Sequence, residues 1–170
     1  VIADTQTKGR GRLQRKWISP PGFNLYMSII FRPSISSKDA TILTLVSSIV
    51  LFETVNSHGI KSQIKWPNDL LWRDRKAGGV LIESKYQGKI WKWAVVGIGI
   101  NINQAEFDKF LVNPVSLKQI TGKTFNAIDL AKELYALLMK NLSEMQTAEN
   151  MIEQYNEHLY KINKKVTLKK

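Results

Sequence analysis

The chain has 170 residues, 44% of them apolar, with 25 Lys and Arg against 14 Asp and Glu for a net charge of +11. That length suits one domain, the apolar share excludes a disordered chain, and the cationic surplus favours phosphate-bearing partners without naming one. Cysteine is absent, which excludes disulfides, a zinc–thiolate site and a cysteine nucleophile.

The opening stretch TKGRGRLQRKW, residues 7–17, holds five cations and two glycines and no acid. It is not a Walker loop, because the spacing differs and no Lys-Ser/Thr follows. Gly9 and Gly11 allow close approach of the backbone, Arg10 and Arg12 offer forked donors for carboxylate or phosphate, and Trp17 offers an aromatic face. Read by itself, the stretch is more simply a solvated basic turn.

Residues 24–33, NLYMSIIFRP, alternate with period two and predict a strand closed by Pro33. Residues 36–59 predict a helix, with Ser36 and Asp39 as a capping pair, one face of Ala40, Leu43, Ser47, Val50, Leu51 and Thr54, and Gly59 as terminator. Three strand segments follow at 63–66 continuing to Trp72, at 79–86, and at 90–103, with YQGK turning between the last two. Residues 104–126 lack clear periodicity and predict loop with short helical pieces. A helix over 127–144 buries Leu130, Leu134, Leu137 and Leu138, and a last helix covers 147–159. This order predicts an α+β fold, with helices on a mixed, largely antiparallel sheet.

Three further polar clusters stand out. In KWPNDLLW, Pro67 breaks the strand pattern and Asn68–Asp69 form a turn. Asp69 there suits Mg²⁺ and Lys65 suits a phosphate, or the segment is an ordinary turn over a packed Trp66. In RKAGGVLIES, Arg75 and Lys76 precede Gly78 and Gly79, which admit a ligand or another backbone. In VVGIGININ, Gly97 and Gly99 share one strand face with Asn101 and Asn103. His58 and His158 lie far apart and read as solvated helix ends. No run of 18 apolar residues is present and no signal peptide is visible, so no membrane span is expected and the cytoplasm is the expected location. The set lacks a Ser/His/Asp triad and a pair of catalytic carboxylates. It suits binding and charge stabilisation of a reacting nucleotide.

GRGRLQRKWISPPGFNLYMS, KWPNDLLWRDRKAGGVLIE and GIGININ resemble, in order and spacing, the motifs of biotin protein ligases. The resemblance covers about residues 2–103. It implies a sheet flanked by helices of the class II aminoacyl-tRNA synthetase kind. It also implies ATP-dependent activation of biotin to biotinyl-5′-AMP, then transfer to a lysine of a biotin carboxyl carrier protein. By motif position it implies that Gln6, Arg10, Gly11, Arg12, Lys76 and Gly79 contact biotin. Arg12, Arg15, Trp17, Lys65 and Asn101 would contact ATP or the adenylate. Lys76, Arg12 and Lys65 would be catalytic, with Asn68 and Asp69 near Mg²⁺. The basic loop would then be a lid, mobile when empty. Gln14 stands where the family often has glycine. The family's Ser-Thr-Asn biotin segment has no counterpart before Val1. Residues 1–160 are thus expected to be the catalytic domain, and 161–170 the start of a small C-terminal β-barrel. A homodimer is possible on this resemblance, and DNA is a partner only if an upstream domain exists. Alternatives are a lipoate or octanoyl ligase with the same chemistry, and a basic nucleic-acid-binding module.

Overall fold

The computed structural model describes residues 1–32, 40–144 and 148–165. The expected Ser36–Asp39 capping pair, the closure at Pro33, Thr147, and residues 166–170 of the expected barrel strand lie outside the described residues. Six strands, β1 (Ile2–Ala3), β2 (Leu25–Phe31), β3 (Gln63–Lys65), β4 (Asp69–Trp72), β5 (Arg75–Gln87) and β6 (Ile90–Ile100), form one sheet. Among the described residues there are also four α-helices, α1 (Ala40–Ser57), α2 (Leu117–Thr121), α3 (Ala127–Ser143) and α4 (Ala148–Glu157). The sheet order is β1-β2-β6-β5-β4-β3 and each of its strand ladders is antiparallel.

Register sorts the side chains. Leu25, Met27 and Ile29 of β2 pair with Ile100, Ile98 and Val96 of β6, and Val80 and Ile82 of β5 continue those rows. All of them join the core beneath α1 and α3. The alternate rows face the other way. One runs Tyr26, Gly99, Gly79, Asp69, Lys65, and the next runs Ser28, Gly97, Leu81. On that face the opening loop, rather than a helix, lies over the central strands. Glycine at three of these positions leaves a trough.

The structure moves several predicted boundaries. β5 starts at Arg75 and ends at Gln87, longer than 79–86, and β6 stops at Ile100. The glycines that weaken the strand pattern at 78–79 are paired to Ile100 and Gly99, so the ladder runs through them. The turn in KWPNDLLW is Trp66–Asn68, closing β3 onto β4, and Asp69 is already strand, opposite Lys65. The predicted stripe on α1 is too narrow. Ile42, Leu45, Val46, Ser48, Ile49 and Val55 are buried as well as the expected Leu43, Ser47, Val50, Leu51 and Thr54. The sheet, α3 and α4 surround α1 on different sides, so it is apolar nearly all round. Its length and hydropathy alone would let it cross a membrane, but it is the core helix of this fold. Inside it, Ser47 donates to the Leu43 carbonyl at 2.6 Å and Thr54 to that of Val50 at 2.9 Å.

Residues 104–126 contain α2, started by a full capping box of Ser116 and Gln119. Asn126 caps α3 by accepting from the amides of Ile128 and Asp129. The two histidines are not simply solvated. His58 meets Glu133 at 3.0 Å and stands edge-on to Phe125, and His158 stacks on Phe52 at 4.1 Å. Both tie helix ends to neighbours. Leu134 of α3 is fully buried against this core. Leu134→Ala is expected to lower unfolding free energy by about 2–4 kcal/mol, read as a lower urea midpoint at unchanged slope.

Candidate active site

The opening loop is a short hairpin. Arg10 bridges to Lys16, the Trp17 amide donates to the Gly9 carbonyl at 2.9 Å, and the Gly11 amide to that of Arg15 at 2.7 Å. A 3-10 turn, Arg12–Gln14, forms its tip. Its base is fastened where Thr5 donates to the Ser19 carbonyl at 2.5 Å and the Ser19 hydroxyl donates to Gln6 Oε1 at 3.2 Å. A Cβ on Gly9 would sit 2.3 Å from the Trp17 carbonyl and 2.7 Å from Gln6 Oε1. Gly9→Ala is therefore expected to open the hairpin while leaving the core intact. Trypsin should cleave after Arg10 or Arg12 at least about fivefold faster at unchanged Tm.

The hairpin delivers Trp17 to the trough. Two indole carbons lie 2.6 and 2.7 Å from where a Cβ on Gly99 would stand, so the ring occupies the space that glycine leaves. The indole N–H is buried without a partner. Beside it, Lys76 Nζ stands 5.2 Å from the ring centroid and 2.6 Å from Asp69 Oδ1. Asp69 and Lys76 flank Gly79: a Cβ there would meet Asp69 Oδ1 at 3.2 Å and the Lys76 Cε at 3.5 Å. Trp17, Lys76 and Asp69 thus converge over a floor of Gly99 and Gly79.

Lys76 is rigidly mounted. Its amide donates to the Asn113 carbonyl at 2.7 Å, and its own carbonyl accepts from the Val115 amide at 2.9 Å and Asn101 Nδ2 at 3.2 Å. Asn101 is buried, and its second donor bond goes to the Val115 carbonyl at 3.2 Å. Its amide therefore braces backbone behind Lys76. Arg75 fastens the same crossing by donating to the Pro114 carbonyl at 2.7 Å.

The remaining expected residues stand around the rim. Arg12 reaches over the exposed Trp66 ring at 5.7 Å, joining the loop tip to the β3–β4 turn. Arg10 pairs with both oxygens of Glu83 on the open face of β5, at 3.1 Å. Lys65 and Arg15 are exposed, and Gly11 lies in the hairpin turn. Asn68 uses its side-chain N–H₂ on the Val80 carbonyl, and its own carbonyl accepts from the Val80 amide at 2.9 Å. Under the loop, burial raises the Tyr26 hydroxyl above its ordinary pKa, against the opposing bonds of Asn24 and Ser19, and Asp4 adds to the rise. That phenol stays a neutral donor, held to the Pro20 carbonyl at 3.2 Å.

Sequence reasoning missed Ser19, Glu83 and the exposed role of Trp66. Glu83 was within reach of it: on a strand, the period of two places Glu83 on the face of Gly79 and Leu81. Ser19 and Trp66 carried no comparable signal.

Residues 1–101 match the model of the biotin/lipoate A/B protein ligase family. The chain is 32% identical over 151 residues to the bifunctional ligase/repressor BirA of Bacillus spizizenii, an alignment covering 86% of this chain and 46% of that protein. It spans about half the length of such curated relatives. Among solved structures, the biotin protein ligase of Aquifex aeolicus in complex with biotin and ATP superposes with a TM-score of 0.81 at 30% identity, covering 95% of this chain and 68% of that one. That of Leishmania major in complex with biotinyl-5-AMP gives 0.79 at 25% identity, covering 99% and 75%.

Proposed function

Because the chain belongs to the biotin/lipoate A/B protein ligase family, we propose that it activates biotin with ATP as biotinyl-5′-AMP and passes the biotinyl group to a lysine of a carrier protein. The observation that carries this reading is the meeting of Lys76, Asp69 and Trp17 over the Gly79–Gly99 floor, under an arginine-bearing hairpin. Biotin's carboxylate attacks the α-phosphate and pyrophosphate leaves. The carrier lysine then attacks the acyl carbon and AMP leaves. Two anions brought within about 4 Å repel by roughly 4 kcal/mol at an effective dielectric near 20. Lys76 offsets that at the reacting pair, and Arg12 and Lys65 offset it from the rim. The buried indole N–H of Trp17 is a free donor for a ligand oxygen.

No protein nucleophile is needed. The chain has no cysteine, and both histidines are engaged with Glu133 and Phe52 away from the trough. Among the described residues no three His, Cys, Asp or Glu side chains cluster as a metal cage. One carboxylate, Asp69, beside Asn68, fits an ion such as Mg²⁺ that takes most of its ligands from nucleotide phosphates and water. There it would neutralise charge on the departing pyrophosphate.

Biotin is preferred to lipoate as substrate, on the Gly-Arg-Gly-Arg and Trp-Pro-Asn-Asp motifs and the biotin-bound structural neighbours. The protein is incubated with ATP, Mg²⁺, labelled biotin or labelled lipoate, and a biotin carboxyl carrier domain. Label on the carrier lysine from biotin is the expected result. Label only from lipoate, or none from either, refutes the proposal.

A further inference from the structure

α4 and the residues after it lie outside the matched span 1–101, yet they hold the hairpin that carries Lys65, Asn68 and Asp69. The Ile64 amide donates to the His158 carbonyl at 2.9 Å, and the Tyr160 amide donates to the Ile64 carbonyl at 2.8 Å. This parallel bridge adds residues 158–160 beside β3, at the edge of the sheet. Tyr155 is 2% exposed and packs with Leu45, Ile49 and Ile64 in a cluster separate from the main core. Its hydroxyl donates to the Pro67 carbonyl at 2.9 Å, at the centre of the turn between Lys65 and Asp69. Burial first, and the Asp69 carboxylate second, push the phenol up to about 12, so it remains a donor at any working pH.

We propose that Tyr155 is a positioning residue, whose hydroxyl sets the β3–β4 turn and thereby the place of Asp69 and Lys65 relative to Lys76. The inference rests on the ligase reading above. The β3–β4 hairpin has β5 on one side, where Asn68 bonds Val80, and the Tyr155 hydroxyl holds Pro67 at its tip. Without the Tyr155 bond the Pro67 carbonyl loses its partner and the tip relaxes. A small displacement there acts on Asp69, which touches Lys76 Nζ directly. Catalytic geometry is sensitive to shifts of this order. The floor glycines lie on β5 and β6 and Gln6 lies in the loop, so recognition of the biotin end is left in place.

The test is Tyr155→Phe, which keeps the ring and removes one oxygen. Hydrogen exchange of peptides spanning 63–72 is expected to quicken about fivefold. kcat for biotin-dependent pyrophosphate release should fall about 5- to 10-fold, with KM for biotin within twofold of the parent. Unchanged exchange overturns the proposal. So does faster exchange with unchanged kcat, or a loss expressed equally in kcat and KM. A wild-type protein without biotin-dependent release refutes the ligase reading itself, whereas an active parent matched by an equally active variant refutes only the role of Tyr155.

Discussion

Lys76→Ala is expected to lower biotin-dependent pyrophosphate release by about 10²- to 10³-fold, the range found when a preorganised donor is removed from a transition state. The ammonium sits over the glycine floor, 2.6 Å from Asp69 Oδ1, on a backbone fixed by Asn113, Val115 and Asn101. Its loss acts twice. The reacting carboxylate and phosphate lose their nearest cation, and Asp69 loses the ammonium that holds its carboxylate in place. Asp69→Asn should itself lower the rate, and because the two side chains touch, its effect in the Lys76→Ala background should be non-additive. Neither side chain is in the hydrophobic core, so Tm should move little. Rapid-quench measurement of pyrophosphate release at saturating ATP checks this. A rate within threefold of the parent would remove Lys76 from the reaction.

What the sequence made legible was what repeats locally. β2 and α3 show their own periods in 25–31 and 127–143, and the turn at Gly88 shows its glycine. The glycine pairs also announced a place for close approach, although not what approaches. The rest depends on distant register. Lys76 and Asp69 meet because β4 lies beside β5 with a bulge between Leu70 and Leu71, and no spacing rule on either segment contains that shift. Segment 113–115 looks like featureless loop and yet clamps the Lys76 backbone. Asn101 illustrates the same limit. Its motif position implied a nucleotide contact, whereas its amide is committed to two backbone carbonyls that only the folded chain brings to it. For α1 the sequence predicts a one-sided stripe, because that is the usual pattern of a helix on a sheet. Its burial on several sides follows from α4, which the sequence does not visibly connect to it.

Gly99→Ala should separate activity from stability. A Cβ at this position would stand 2.6 Å from the Trp17 ring, a contact that real Cβ atoms do not make. Position 99 faces away from the helices, opposite Tyr26 and Gly79 in the sheet, and lies outside the core cluster. The strand itself gains from the change, since alanine in a strand interior is favoured over glycine by roughly 0.5–1 kcal/mol. The indole must therefore move while the sheet stays. With it move the carbonyl that lies against Gly9, the cationic contact to Lys76 and the hairpin that carries Arg10 and Arg12. A displacement of about 1 Å in groups that orient a reaction costs on the order of 10²-fold. The expected result is a fall in kcat/KM for ATP of about 30- to 100-fold at a Tm equal to or above that of the parent. If activity and Tm fell together, the glycine would be serving the fold. If neither changed, Trp17 would not be seated in the trough and the site built around it would be wrong.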